Sequence, residues 1–194
     1  MHSPAPSPAQ IRKQIKSQRR KLTDRQRRQS AWLASRFLPK LVPLLPKGAK
    51  IAFYLDSFGE MPTVVIAKFC QKYGYQGYLP ITRQSQPLTF APIMATLTKT
   101  PLKKHRLGML EPICRPHQDA KAMDAIICPL VAVDKAGVRL GMGGGYYDRT
   151  FERTKRCLKI AWCYEFQVLD KLHKQPWDQS VDIIISDKVI RRIF

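Results

Sequence analysis

Between Arg139 and Arg149 the chain reads Arg-Leu-Gly-Met-Gly-Gly-Gly-Tyr-Tyr-Asp-Arg, with four glycines in five positions at Gly141, Gly143, Gly144 and Gly145. Glycines at this density let the backbone approach a ligand closely and aim several N–H groups at one point. A phosphate or oxyanion sits well in such a nest, above all where a helix begins. Arg139 and Arg149 bracket the segment with permanent positive charge and can fork onto phosphate oxygens. Asp148 adds a carboxylate, a hard ligand suited to Mg²⁺ that bridges phosphates. The string is not a Walker A loop, since no Gly-Lys-Ser/Thr follows, and Tyr146 replaces the third glycine of a dinucleotide fingerprint. Glycine clusters also make plain flexible loops, and paired tyrosines are ordinary core material. On residue chemistry alone, phosphate binding is the favoured of these two readings.

The elements that must hold this loop are legible in part. Ile11 and Ile15, with Leu22 one heptad beyond Ile15, put one apolar stripe on a very basic helix over 10–21. Thr23 with Gln26 forms a capping-box pattern and starts a second helix reaching about Leu38, with Ala31, Ala34, Phe37 and Leu38 inward. Lys50–Leu55 reads as a buried strand, followed by a helix from Pro62 to about Tyr73 that Gly74 ends. Tyr75–Ile81 and Leu88–Met94 read as strands, and Thr98 to about Met123 as loop. Asp124–Pro129 reads as a strand, with Val131–Val133 extending its apolar run. A turn at Asp134–Gly137 precedes the glycine string, and a helix is expected from Gly145 to about Thr154. Cys157–Cys163 and Val181–Ser186 are two further strands, joined by a short helix near Val168–Leu172. Strands alternating with helices predict an α/β fold, a three-layer α/β/α domain with a mainly parallel mixed sheet and a basic N-terminal helical arm. Residues 1–9 read as a loose tail, and 10–194 as a single domain with 10–38 as the arm.

Composition narrows the class. A chain of 194 residues at 44% apolar can bury one real core. No apolar run approaches a membrane span, and the Pro-rich start lacks the apolar middle of a signal peptide, so a cytoplasmic protein is expected. The five cysteines, Cys70, Cys114, Cys128, Cys157 and Cys163, contain no Cys-x-x-Cys pair and read as free thiols in a reducing compartment. The four histidines have no metal-ligand spacing. A net charge of +20 says that anions are attracted, whether nucleic acid or small polyanions such as ATP.

The glycine string closely resembles the signature of the 5-formyltetrahydrofolate cyclo-ligase family. There, an apolar strand ending in Pro leads to an Asp-x-x-Gly turn and then Arg-Leu-Gly-x-Gly-x-Gly-Tyr-Tyr-Asp. The same order runs here from Ile126 and Pro129 through Asp134 and Gly137 to Asp148. Ile11-Arg12 and Arg19–Thr23 are similar to the family's basic first helix, and Leu55 with Glu60-Met61-Pro62-Thr63 to its strand end and Glu-x-x-Thr element. Gly108–Pro112, Tyr164–Gln167 and Asp178–Asp182 resemble later elements, so the likeness spans about Ile11 to Asp187. The family often carries a lysine four residues before the arginine of the first helix, where this chain has Pro8. Met142 and Gly144 are uncharged where some members carry Arg or Lys.

The resemblance implies ATP-dependent cyclisation of 5-formyltetrahydrofolate to 5,10-methenyltetrahydrofolate, with ATP and Mg²⁺ as cofactors. It implies that Arg12, Arg139, Leu140, Gly141, Met142, Gly143, Gly144, Gly145, Tyr146 and Tyr147 bind ATP. Leu55 and Glu60 would hold the folate, together with Met142 to Tyr146, and Asp148 and Asp178 would bring the metal. Glu60, Arg139 and Tyr147 would be catalytic. Plainer readings stand beside these: a solvated charge for Arg12, a loop carboxylate for Glu60, a core residue for Leu55, and a helix cap or loop carboxylate for Asp178. The expected partner is a folate that can carry a polyglutamate tail, with no membrane, no specific nucleic acid, and a monomeric state. The rival reading is a nucleic-acid-binding protein, argued from thirteen Lys/Arg against one acid between Ile11 and Lys50. A different phosphate-handling enzyme, such as one acting on a sugar phosphate, is a second rival.

Overall fold

The structure, a computed structural model, describes residues 6–154 and 156–193. Helix α1 (Pro8–Lys21) starts within the span read as tail. Ser7 caps it, its hydroxyl accepting from Gln10 N while Ser7 N donates back to Gln10 Oε1, and Pro8 takes the first helical turn, where a missing N–H costs nothing. The rest of the tail reading falls largely on residues 1–5, outside the described residues. Helix α2 (Asp24–Ser35) begins at the expected Thr23–Gln26 capping box. It ends earlier than expected, because Leu38–Leu44 with its two prolines tightens into a 3₁₀ turn.

Strand β1 (Lys50–Phe53) leads through a long loop to α3 (Val64–Tyr73), which Gly74 ends at φ 68°. There follow β2 (Gln76–Ile81), β3 (Thr89–Pro92), β4 (Leu102–Lys104), β5 (Leu110–Pro112) and β6 (Gln118–Asp119). Then come β7 (Ala125–Cys128), β8 (Ala132–Asp134), β9 (Arg139–Leu140), α4 (Tyr146–Glu152) and β10 (Leu158–Cys163). The chain closes with β11 (Val168–Leu169), β12 (Ile183–Ser186) and β13 (Ile190–Arg192).

Eight strands form one sheet in the order β13-β12-β10-β7-β1-β2-β3-β6. The run from β12 to β2 is parallel, and β13, β3 and β6 are antiparallel at the edges. Side chains divide by strand alternation. Ile51, Phe53, Ile127, Ile160, Trp162, Ile183 and Ile185 face the layer containing α2 and α3. Ala52, Ile126, Cys128, Ala161 and Ile184 face the layer that holds Phe151 of α4. The fold is therefore the expected three-layer α/β arrangement. A third apolar cluster joins Ile11 and Ile15 of α1 to Val131, Ala132, Val138 and Leu172, which docks the basic arm on the small sheet β11-β8-β9.

Three local readings are corrected. Val168–Leu169 is not helix but β11, pairing parallel with Val133 and Asp134, after a single 3₁₀ turn at Glu165–Gln167. The run Val131–Val133 does not prolong β7; after Pro129 the chain leaves the main sheet and β8 pairs with β9 instead. The stretch read as loop contains the β4–β5 hairpin and the edge strand β6. These strands are two or three residues long, too short to show a period.

Strands leave β1 in opposite directions, toward β2 on one side and through β7 to β10 on the other. Ligands of open parallel sheets bind at such a switch point, beyond the carboxyl ends of the strands. The segments that emerge there are Tyr54–Thr63 after β1 and Pro129–Asp148 after β7.

Candidate active site

The glycine string is carried on the β8–β9 hairpin. Asp134 is buried, and its carboxylate accepts from Ala136 N and Val138 N, both at 2.9 Å, and from Leu172 N at 3.0 Å. Gly137 sits at φ 81°, and a Cβ added there would stand 2.5 Å from the Val181 carbonyl oxygen, so this turn requires glycine. The Asp-x-x-Gly element is thus a structural clamp that fixes where Arg139 begins.

Arg139 is 5% exposed and donates Nη2 to Asp148 Oδ1 at 2.7 Å. Its guanidinium lies 5.7 Å from the ring centroids of both Tyr147 and Phe151. Arg149 folds back over the loop, donating Nη2 to Gly144 O at 2.9 Å with its guanidinium 5.1 Å from the Tyr146 ring. The Nε atoms of Arg139 and Arg149 are buried without a partner among the described residues. Gly143 and Gly145 adopt φ of 101° and 64°, and Gly145 opens α4 with no side-chain cap. The first-turn N–H groups of α4 are therefore left for another acceptor. Arg12, on α1, closes the other side by donating Nε to Gly141 O at 2.9 Å. Its link to the loop is direct; it is not one solvated charge among many.

Asp148 is half-buried, with one oxygen held by Arg139. Among the described residues no group of three His, Cys, Asp or Glu could enclose a metal. That donor set fits magnesium held together with a nucleotide, since the ion usually takes one or two protein carboxylates and fills its shell with phosphates and water. Asp178 stands apart. Its carboxylate accepts from Gln175 N at 2.8 Å and closes a tight turn, and no hydrogen bond or ion pair joins it to the glycine loop.

The second half of the site follows β1. Thr63 N and its hydroxyl both donate to Asp56 Oδ1, and the hydroxyl also reaches Tyr54 O at 2.8 Å, pinning the loop at both ends. Between them Phe58 and Gly59 stand at φ of 53° and 74°, a left-handed pair that strains the phenylalanine. This turn points Glu60 inward, where it is 9% exposed and accepts from Ser57 N at 3.1 Å. Arg19 Nη1 lies 4.0 Å from Glu60 Oε1. Burial raises the Glu60 carboxyl to about 7, against the opposing pull of Arg19 and of the Ser57 amide, with Asp56 adding to the rise. Burial also pushes the Tyr147 hydroxyl well up, and Glu60 contributes to that rise, so α4 and the Glu60 loop are electrostatic neighbours. A cleft of about 540 Å³ opens beside Glu60, bordered by Arg27, Arg28, Asp56, Phe58 and Val64. Leu55 packs, half-buried, against the main core.

Sequence reasoning passed over Arg19, Phe58 and Tyr164, whose buried hydroxyl has no partner among the described residues. Arg19 had a signal: it continues the four-residue spacing of Ile11 and Ile15, a charge on the buried stripe of an amphipathic helix.

With this geometry described, comparison with known proteins adds the following. The family model described as the 5-formyltetrahydrofolate cyclo-ligase family matches residues 5–187. A 5-formyltetrahydrofolate cyclo-ligase of Haemophilus influenzae is 30% identical over 184 residues, covering 91% of this chain and 96% of that protein. One from Escherichia coli is 27% identical over 181 residues, covering 89% and 96%. The NMR structure of Aquifex aeolicus 5,10-methenyltetrahydrofolate synthetase superposes with a TM-score of 0.77 at 29% identity, covering 96% of this chain and 92% of that one. Sequence and fold agree, and the chain belongs to the 5-formyltetrahydrofolate cyclo-ligase family.

Proposed function

We propose that this protein closes 5-formyltetrahydrofolate to 5,10-methenyltetrahydrofolate at the expense of ATP, releasing ADP and phosphate. The observation that carries the reading is the meeting of two unlike half-sites at the switch point of the sheet. The Gly-rich loop with Arg12, Arg139 and Arg149 is built for phosphate, and Glu60, buried beside Arg19 on the segment that leaves the neighbouring strand, is built for a proton or an N–H.

The formyl group of the substrate is an amide whose oxygen leaves poorly. Transfer of the γ-phosphoryl group to that oxygen makes it a phosphate leaving group and leaves the formyl carbon electrophilic. N10 then attacks that carbon, the carbon–oxygen bond breaks, phosphate departs, and the N10 proton must be removed. Arg139 and Arg149 offset the charge that builds on the transferred group, and the glycine loop fixes its position. Mg²⁺, held by Asp148, would neutralise the phosphate oxygens. Glu60, with an affinity for protons near neutrality, accepts the N10 proton. Tyr147 walls the site between them. Leu55 supports the folate side through the core, and Met142, Gly143, Gly144 and Tyr146 border both ligands. Asp178 serves the metal only if the turn at Gln175 opens. The excess of basic residues suits a substrate with several glutamyl carboxylates, and the reading extends to a monomer working in the cytoplasm.

The test is to mix protein with 5-formyltetrahydrofolate and Mg-ATP and follow the methenyl product by absorbance. Product is expected with ATP and not without it. Asp148→Ala, which loses both the metal ligand and the partner of Arg139, is expected to lower kcat at least about a hundredfold. Product formation that ignores ATP, or well-folded protein that forms none, would remove the reading.

A further inference from the structure

The buried residues of α1 are Ile11, Ile15 and Arg19. A guanidinium that is 2% exposed is costly unless its charge and its donors are used. Arg19 uses only part of what it carries. One terminal nitrogen donates to the Leu130 carbonyl oxygen, which also takes Gln167 Nε2 at 3.1 Å. The other faces Glu60 at 4.0 Å, close enough for charge to act and too far for a direct hydrogen bond. Its Nε has no partner among the described residues. Gly59 rests against it, since a Cβ there would stand 3.2 Å from Arg19 Cβ. A plain anchor for α1 would need the Leu130 contact and nothing more.

We propose that Arg19 is a positioning residue for the reaction: fixed on the Leu130 carbonyl, it favours the charged form of Glu60 and helps hold it in place to receive the substrate's proton. This rests on the role given to Glu60 above. The groups nearest Glu60 are Arg19 from α1, Tyr54 just after β1, Tyr147 from α4, and Asp56 with the Ser57 amide from its own loop, while Arg27 and Arg28 of α2 border the same cleft. Of the three arginines, Arg19 is the one within ion-pair distance of Glu60 and the one that draws it toward its charged form. Without it, burial would shift Glu60 further toward the protonated form, which cannot take a second proton. The gap of 4.0 Å leaves the carboxylate free to bond a substrate N–H without first breaking a strong ion pair.

Two variants separate charge from anchoring. Arg19→Gln keeps a donor for the Leu130 carbonyl and removes the charge; Arg19→Lys keeps the charge. The ¹³C resonance of the Glu60 carboxyl, assigned by its loss in Glu60→Gln, is titrated in each, and kcat/KM is measured across pH. In the unmodified protein the titration midpoint is expected near 7, matching the rising limb of kcat/KM. Arg19→Gln is expected to move both up by about one pH unit, lowering kcat/KM at pH 7 roughly fivefold with recovery at alkaline pH. Arg19→Lys is expected to hold both near the original values. A Glu60 midpoint that stays put in folded Arg19→Gln, or a loss uniform across pH, would reduce Arg19 to an anchor and overturn the proposal. Failure of the underlying reading looks different. There the unmodified protein makes no methenyl product, or Glu60→Gln keeps the rising limb.

Discussion

Glu60 sits in a loop held by Asp56 and Thr63, and its burial sets up a conflict between stability and function. A carboxyl raised from 4.5 to about 7 binds its proton more tightly in the folded chain than in the unfolded one. Its contribution to stability is therefore full below 4.5 and is lost as pH rises toward about 7, the reverse of a carboxylate in a good salt bridge. In urea unfolding at pH 5 and pH 8, the unmodified protein is expected to lose on the order of 2 kcal/mol more than Glu60→Gln over that interval. Equal losses would mean that Glu60 is solvated. At this scale the residues singled out by the family likeness include Arg12, Arg139 and Asp148, which the fold gathers at the glycine loop, and Glu60, which it buries. Arg19 escaped because a basic residue among thirteen looks like surface charge until its helix is docked. For Asp178 the likeness to the family offers a metal ligand and the residue type a plain cap or loop carboxylate; its carboxylate closes a turn that only the folded backbone reveals.

Helix α1 does two jobs through one apolar stripe. Ile11 and Ile15 seat it on Val131, Ala132, Val138 and Leu172, and the same seating delivers Arg12 to Gly141 and Arg19 to Glu60. Ile15→Ala is expected to cost about 2–5 kcal/mol of stability and to weaken Mg-ATP binding as Arg12 withdraws. A thermal melt paired with calorimetric titration of Mg-ATP would check both; a lower melting temperature with unchanged affinity would uncouple the helix from the loop. The central strands were legible because their apolar, β-branched residues alternate between two buried faces. Strand β13 was missed because two of the three residues of Ile190–Arg192 are charged and it lies on an edge, where one side of the strand meets water. Strand β11 is two residues long and exists by pairing with β8, a partner far away in the chain.

The molecule as a whole carries +20, spread well beyond the residues that touch the proposed ligands. Such a field draws anionic substrates toward the site and is screened by salt, with a Debye length of ~10 Å at ~0.1 M. KM for Mg-ATP is expected to rise several-fold between about 0.05 M and 0.5 M KCl while kcat changes little. A KM indifferent to salt would confine binding to the short-range contacts of the glycine loop. Charge did not by itself choose between nucleic acid and nucleotide. That choice came from the family to which the chain belongs.

The partner of Arg19 in the fold, Leu130, is 111 residues further along, and Gly141, the partner of Arg12, is 129 away. Synthesis at about 5–20 residues per second puts roughly 6–25 s between the emergence of α1 and that of the surfaces it covers. For that interval a nascent chain presents a cationic helix with a bare isoleucine stripe, beside a ribosome whose RNA is a polyanion. That segment waits for the surfaces that cover it, and it has much to gain from a chaperone's shelter.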